Sequence, residues 1–423
     1  MTESPPMSKS GPLSGHRVVE LSSTIAGPVC ARLLADFGAD VIKIESPEGD
    51  PGRNFGAQVD GVSLYGTSMY RNKRAIVLDL KNPEGREIAL KLLDKADVLV
   101  ENFRPGVLDR LGLGEEVLRK RNPGLVTVRI SGYGQTGPYR DLPGYGAICE
   151  AVAGVRHLTG DPDRPPARCA LPTTDYLTAV YAAFGTVMAL YERTRSGLGQ
   201  MIDVALYESA FSQMEEAVPS YERTGVIPMR QGSRLMNTAP NSLYPTNDNH
   251  WVLIGANNDA IFKRLANIMG HAEWGTDSRY ATQRARGERV DEVDGLVTAW
   301  TSQRSADEVQ RLLTAAEVPV SRVNTIADIF EDQHYKAREM LMKIPHPKLG
   351  EVTMTGVVPK MSRTPGQITK AGSGIGEDTR EVLMDELGFT AQEVDRLAAS
   401  RAVWCGETGV VSTHTETSKA AAG

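Results

Sequence analysis

The chain is poor in the residues that most readily announce a chemistry. Its four cysteines, Cys30, Cys149, Cys169 and Cys405, stand far apart with no C-x-x-C spacing. That argues against a disulfide framework and a thiolate metal site, and predicts buried thiols in a reducing compartment. Seven scattered histidines include no H-E-x-x-H, so no metal site is expected. There is no Gly-Lys dipeptide and hence no G-x-x-x-x-G-K-[ST] phosphate loop, and no G-x-S-x-G nucleophile elbow. The glycine-rich "GSGIGE" at 372–377 follows no clear strand and reads as a loop before a helix. No run approaches the ~20 apolar residues of a membrane span. A net charge of −6 gives no support to a nucleic-acid or membrane-surface partner. The polar, Pro-rich start "MTESPPMSKSGPLSG" has no apolar signal core. The stretch "GETGVVSTHTETSKAAAG" reads as frayed, and the expected location is cytoplasmic.

What is present is a rhythm. "HRVVELSS", "ADVIKIE", "AIVLDL", "DVLVENF" and "LVTVRISGYG" read as strands. Between them, "AGPVCARLLADFG" and "PEGREIALKLLDKA" read as helices, one closed by Gly38 and one opened by Pro83. This alternation predicts an α/β fold with a mostly parallel sheet covered on both faces, binding ligands at the strands' carboxyl ends. A Pro/Asn/Gly-rich linker then leads to a hairpin turning at Asn247-Asp248 and a helix from Asp259 to Met269. "SADEVQRLLTAAE" opens with a capping box at Ser305 and Glu308. A smaller α+β domain is expected at about 225–325, followed by a strand "EVTMTGVVP" and a last helix "EDTREVLMDELG".

One acid stands out. Asp175, in "ALPTTDYLTAVYAAFGTV", opens a long apolar run beside Pro172-Thr173-Thr174. A Thr cap and an acid in the first turn suit an ordinary helix start. Leu177, Val180, Tyr181, Phe184, Val187 and Met188 recur at helical spacing and predict a buried face. The same position suits a nucleophilic carboxylate aimed at a cleft. Pattern alone fits both. Arg71, Lys73, Arg74, Lys81, Arg104 and Arg110 flank predicted strands; they read as solvated charge or as partners of a polyphosphate ligand.

Five ordered blocks lie within residues 13–210: "LADFGADVIKIE", "NKRAIVLDLKNPEG", "ADVLVENFRPGVLDRLGL", "ISGYGQTGPYRDLPGY" and "TDYLTAVYAAFGTVMALYERTRSGLGQMIDVALYES". Together they resemble the class III coenzyme A transferases, the family that includes formyl-CoA transferase and succinyl-CoA-dependent dicarboxylate CoA-transferases. The resemblance implies a Rossmann-like large domain built from N-terminal (13–224) and C-terminal (329–400) parts. It adds a small α+β domain with linkers (225–328), a flexible tail (401–423) and an interlocked, ring-like homodimer. It makes Asp175 the nucleophile, forming a mixed anhydride and then an aspartyl-CoA thioester. It places CoA against Ile25, Ala26, Leu78, Asp79, Leu80, Lys81, Asn102, Phe103, Arg104, Arg110, Gly144 and Tyr145. An acyl-CoA and a small carboxylic acid are the implied substrates, with no metal and no cofactor beyond CoA itself.

The chain departs from formyl-CoA transferases at Ile25, Ser46 and Gly146, where that enzyme has Gln, Arg and Glu. "IGANND", with Gly255 and Asn257, replaces a Gly-rich active-site loop and is a candidate substrate contact. Arg230 and Arg234 are candidates for a second carboxylate of a dicarboxylic substrate, surface charge being the alternative. An α-methylacyl-CoA racemase shares the fold but needs a Gly-His-Asp stretch where this chain has Gly144-Tyr145-Gly146. A CoA-binding dimer without catalysis is the other alternative.

Overall fold

The computed structural model describes residues 11–235 and 237–406. The expectations for the first ten residues and for 407–423 lie outside them. The chain forms two compact units, one from 11–153, 170–214 and 337–406, the other from 154–169 and 215–336. The small domain expected at 225–328 is narrower than this second unit, which also takes in 154–169, 215–224 and 329–336.

The large unit is organised by a seven-stranded sheet. Its order is Val403–Trp404, Lys73–Leu78, Asp40–Glu45, Arg17–Leu21, Val98–Glu101, Val126–Ser131, Met201–Ala205. All neighbours are parallel except the antiparallel pair formed by Val403–Trp404. Successive strand residues point to opposite faces, so Val18 and Val19 enter separate cores. The first core packs under helices Ala26–Asp36 and Thr173–Ser196, the second under Pro83–Asp94 and Ala391–Ala399. Chain order reverses between Arg17–Leu21 and Val98–Glu101: the chain first builds outward on one side of the first strand, then returns to its other side. A crevice opens beyond the carboxyl ends of strands at such a reversal. Two strands of this sheet are not among those expected from the sequence. Met201–Ala205 lies in a block read only by resemblance, and Val403–Trp404 lies in what was expected to be tail; Ala402 and Val403 are buried.

The long helix corrects two expectations. Its N-cap is Pro172, with no side-chain cap; Thr174 lies in the first turn and is buried. The face it buries is also not the large apolar one. Thr178, Ala179, Ala182, Thr186 and Ala189 turn inward, while Val180, Phe184, Met188 and Tyr191 are 52, 60, 50 and 70% exposed in the single chain. Small side chains let this helix lie close against the almost fully buried helix Ala26–Asp36, which bulkier residues would hold away.

Arg71, Lys73 and Arg74, the last two inside the strand Lys73–Leu78 and not ahead of it, are paired within the fold. Arg71 makes a two-pronged pair with Asp36 and donates to the Thr355 carbonyl. Arg74 pairs with Asp40 and Glu386. Lys73 and Lys43 converge on the two oxygens of Glu20, at 2.6 and 2.9 Å, with all three side chains buried. Burial opposes all three charges of this cluster, and at Lys73 it prevails over the pull of Glu20, pushing the ammonium down to about 8. Even so, the two lysines hold Glu20 below the usual carboxylate range, and Glu20 with Asp50 holds Lys43 above the usual ammonium value. Cys30 and Cys149 are buried as expected, whereas Cys169 is exposed.

In the small unit, Asn241–Pro245, Trp251–Gly255 and Val320–Arg322 form an antiparallel sheet, its hairpin turning through 246–250. Helices Asp259–Ile268, Val290–Thr301 and Ala306–Ala315 accompany the core of Tyr244, Val252, Leu265, Val297 and Leu313. Ser305 accepts from the Glu308 N–H at 3.2 Å, one half of the expected capping box; the Glu308 carboxylate lies 3.9 Å from Arg304 instead of bonding back to Ser305.

The small-residue seam gives a direct test. Ala182→Leu should overpack it and lower the unfolding free energy by about 1–3 kcal/mol. The readout is a reduced urea midpoint at unchanged slope; an unaltered midpoint would show that the seam does not constrain the helix pair.

Candidate active site

The crevice at the strand-order reversal contains a cavity of about 240 Å³. Its walls are the loops that leave the carboxyl ends of neighbouring strands. Ser23, Thr24, Ile25 and Ala26 follow Arg17–Leu21; Asn102, Phe103, Arg104 and Pro105 follow Val98–Glu101; Ile130, Ser131 and Gly132 end Val126–Ser131. A further loop contributes Arg140, Leu142, Pro143, Gly144 and Tyr145, and Asp175 and Leu206 complete the lining. Eight residues marked beforehand thus meet at one place: Ile25, Ala26, Asn102, Phe103, Arg104, Gly144, Tyr145 and Asp175.

The two loops flanking the reversal are tied directly. Asn102 accepts from the Ser23 N–H at 2.9 Å and donates to the Ser23 carbonyl at 2.8 Å, holding that residue by both its backbone polar groups. Beside it, Glu101 accepts from the Phe103 N–H at 2.8 Å and lies 3.6 Å from Arg129. Burial pushes the Glu101 carboxyl up to about 7, partly opposed by the Phe103 N–H and the Arg129 charge.

Asp175 stands in the first turn of Thr173–Ser196, where the helix dipole favours the carboxylate form. Its neighbour is Gly146, the first residue of helix Gly146–Val152. A Cβ on Gly146 would come 2.1 Å from Asp175 Oδ2 and 2.7 Å from its Cγ, so the carboxylate occupies the space a side chain would fill. Gly144 is similarly constrained, because a Cβ there would come 3.0 Å from the Gly132 Cα. The buried Cys149 thiol donates to the Gly132 carbonyl at 3.3 Å. Burial, reinforced by the charge of Asp175, pushes that thiol up to about 11. At neutral pH it is therefore a neutral S–H and no rival nucleophile.

Other marked residues lie elsewhere. Leu78, Asp79, Leu80 and Lys81 are at the carboxyl end of Lys73–Leu78, outside the cavity lining, with the Leu78 side chain buried in the core. The Asp79 N–H donates to the Ala402 carbonyl at 3.0 Å. Arg110 ends the short helix Val107–Arg110, is exposed and also lies outside the lining. Gly255, Asn257, Arg230 and Arg234 belong to the small unit. There Arg234 pairs with Asp291 and Asp294 at 2.7 and 2.8 Å, and Arg230 donates to the carbonyls of Asp161 and Arg164. The Asn257 carbonyl accepts from the fully buried Arg286 at 2.6 Å.

Several lining residues were missed. Ser131 and Gly132 end a strand that the sequence reading did identify, so the carboxyl-end rule could have found them. Leu206 follows an unrecognised strand. Arg140 sits in an exposed loop and carried no signal of its own.

Residues 13–379 match CoA-transferase family III. The chain is 45% identical over 394 residues to a succinyl-CoA–D-citramalate CoA-transferase of Chloroflexus aurantiacus, covering 93% of this chain and 98% of that protein. It is 42% identical over 397 residues to the beta subunit of that organism's succinyl-CoA–L-malate CoA-transferase, with the same coverage. A solved CaiB/BaiF family protein from Brucella suis superposes with a TM-score of 0.79 at 34% identity, covering 89% of this chain and 99% of that one. An α/β chain in which three of the five blocks meet at one cavity thus matches that family along most of its length: it belongs to CoA-transferase family III.

Proposed function

We propose that this enzyme moves coenzyme A from succinyl-CoA to a dicarboxylic acid, with Asp175 as the covalent carrier. The observation that carries the reading is the convergence of Asp175 with the Ile25–Ala26, Asn102–Arg104 and Gly144–Tyr145 loops on one cavity. Two relatives named for succinyl-CoA, with D-citramalate and L-malate as acceptors, support the choice of donor and of acceptor class.

The steps balance without an external base. The Asp175 carboxylate adds to the donor's acyl carbon and its C–S bond breaks, giving an acyl-aspartyl anhydride and CoA thiolate. The thiolate attacks the aspartyl carbonyl and expels succinate, leaving aspartyl-CoA. The acceptor carboxylate displaces the thiolate to form a second anhydride. Attack by the thiolate on the acceptor's acyl carbon then yields the new thioester and restores Asp175. No proton is gained or lost overall. The bare Gly146 leaves the nucleophile its place. Arg104 and Arg140 put positive charge on the walls of a chain whose net charge is negative, which suits an anionic ligand. Lys81 and Arg110 suit the nucleotide end of CoA.

A homodimer accompanies this reading. The exposed Val180, Phe184, Met188 and Tyr191 form an apolar stripe that a second copy would cover.

Three outcomes follow. Asp175→Ala should abolish exchange between succinyl-CoA and D-citramalate, L-malate or related diacids, and hydroxylamine should trap the wild-type aspartyl group as a hydroxamate detectable by mass spectrometry. Retained turnover in Asp175→Ala would sink the mechanism. Gly146→Ala should displace the carboxylate and reduce kcat by about 100-fold with little change in melting temperature; near-normal kcat would mean that the contact is not limiting. Phe184→Asp should turn a dimer into a monomer by light scattering. If the wild-type chain is already monomeric, the stripe serves something other than self-association.

A further inference from the structure

We infer that Asp50 is a positioning residue for CoA transfer: it holds Thr24 in a left-handed backbone conformation and so sets one wall of the cavity. The inference rests on reading that cavity as the acyl-CoA site. Asp50 is not among the residues that line it.

Thr24 has φ 74°, and among the described residues it is the one β-branched side chain in that region. A β-branched residue there crowds its own backbone, so the conformation must be imposed from outside. Asp50 supplies the constraint. Its Oδ1 accepts from the Thr24 N–H at 2.9 Å and from the Gly52 N–H at 2.8 Å. Its Oδ2 lies 2.8 Å from Lys43 Nζ, an ion pair rather than an aligned hydrogen bond. Its own N–H donates to Glu45 Oε2 at 2.8 Å, and Arg53 donates to the same carboxylate. Asp50 and Lys43 are buried at 5 and 0% exposure, so the aspartate cannot swing aside without stranding a charge. Gly52 closes the space beneath: a Cβ there would come 3.1 Å from the Thr24 carbonyl oxygen and 2.5 Å from the Tyr70 hydroxyl.

The residue before Thr24 is fixed independently, since Asn102 accepts from the Ser23 N–H and donates to the Ser23 carbonyl. Both clamps therefore grip the peptide that joins Ser23 to Thr24, its carbonyl held by Asn102 and its N–H by Asp50, at the head of the segment Ser23–Ala26, all four of whose residues line the cavity. Releasing the Asp50 clamp lets Thr24 relax toward negative φ and carries the wall with it. In catalytic sites a shift of about 1 Å can cost up to about 100-fold.

The test measures KM for succinyl-CoA, kcat with the acceptor the wild type turns over fastest, and melting temperature. Asp50→Asn places an amide against Lys43 and should raise KM about tenfold with a smaller change in kcat. Adding Thr24→Gly should bring KM back to within about threefold of wild type, because glycine takes positive φ without a clamp. A merely structural aspartate would change melting temperature and active fraction and would show no such rescue. Thr24→Pro removes the same N–H and forbids positive φ while leaving the buried pair intact, so it covers the case in which Asp50→Asn does not fold; it too should raise KM at least tenfold. Unchanged KM in either Asp50→Asn or Thr24→Pro, or a raised KM that Thr24→Gly does not lower, overturns the positioning role. Transfer that survives Asp175→Ala would instead remove the reading beneath it.

Discussion

Two lysines reach into the middle of a parallel sheet, and the structure around the cavity follows from the need to keep them charged. Lys43 comes from the strand beside the one that carries Glu20 and Lys73 from the next strand out, and both end on that one carboxylate. A buried ammonium without a partner would lose its proton or unfold its surroundings. Lys43 meets its remaining need through the Ser22 carbonyl and Asp50. The loops that leave these strands are thereby drawn into the same network. The charge row is a stability device by location, yet its last member reaches the backbone of the cavity wall.

Packing of the long helix obeys a second constraint. A helix can lie close to another only where its side chains are small. Thr173–Ser196 meets this with a Thr/Ala stripe, and its bulky residues are left facing outward. The usual equation of apolar spacing with the core face fails here, because the sheet and the first helix leave no room for Phe184 or Met188 on the inner side. Those residues form a second hydrophobic surface, the one a second copy would cover in the proposed homodimer.

The chemistry proposed for Asp175 makes modest demands on its surroundings. Carboxylate, thiolate and thioester exchange roles without net proton transfer, so a His base has no task. The nucleophile must instead be charged, uncrowded and unrivalled. The helix start favours the first condition, the missing side chain at Gly146 meets the second, and the neutral Cys149 thiol meets the third.

Much of this was legible in the sequence. β-branched runs alternating with helical periods named five of the seven large-sheet strands, because buried parallel strands need such runs whatever surrounds them. Asp175 was visible as an acid at a helix start, though only the ordered family blocks separated nucleophile from cap. Other features depend on partners distant in the chain. Arg71, Lys73 and Arg74 looked like surface charge because Asp36, Glu20 and Glu386 come beside them only when the sheet assembles. Val403–Trp404 is too short to show a period and is a strand only because Lys73–Leu78 offers it an edge. The inward face of the long helix was decided by the closeness of its neighbour, which no local pattern records. The sequence by itself determined the layers, the order of elements and the acid at their mouth. The tertiary structure decided which charges are buried, which apolar face is left over and how Thr24 is held. Those outcomes depend on distances between segments far apart in the chain, and periodicity describes each segment alone.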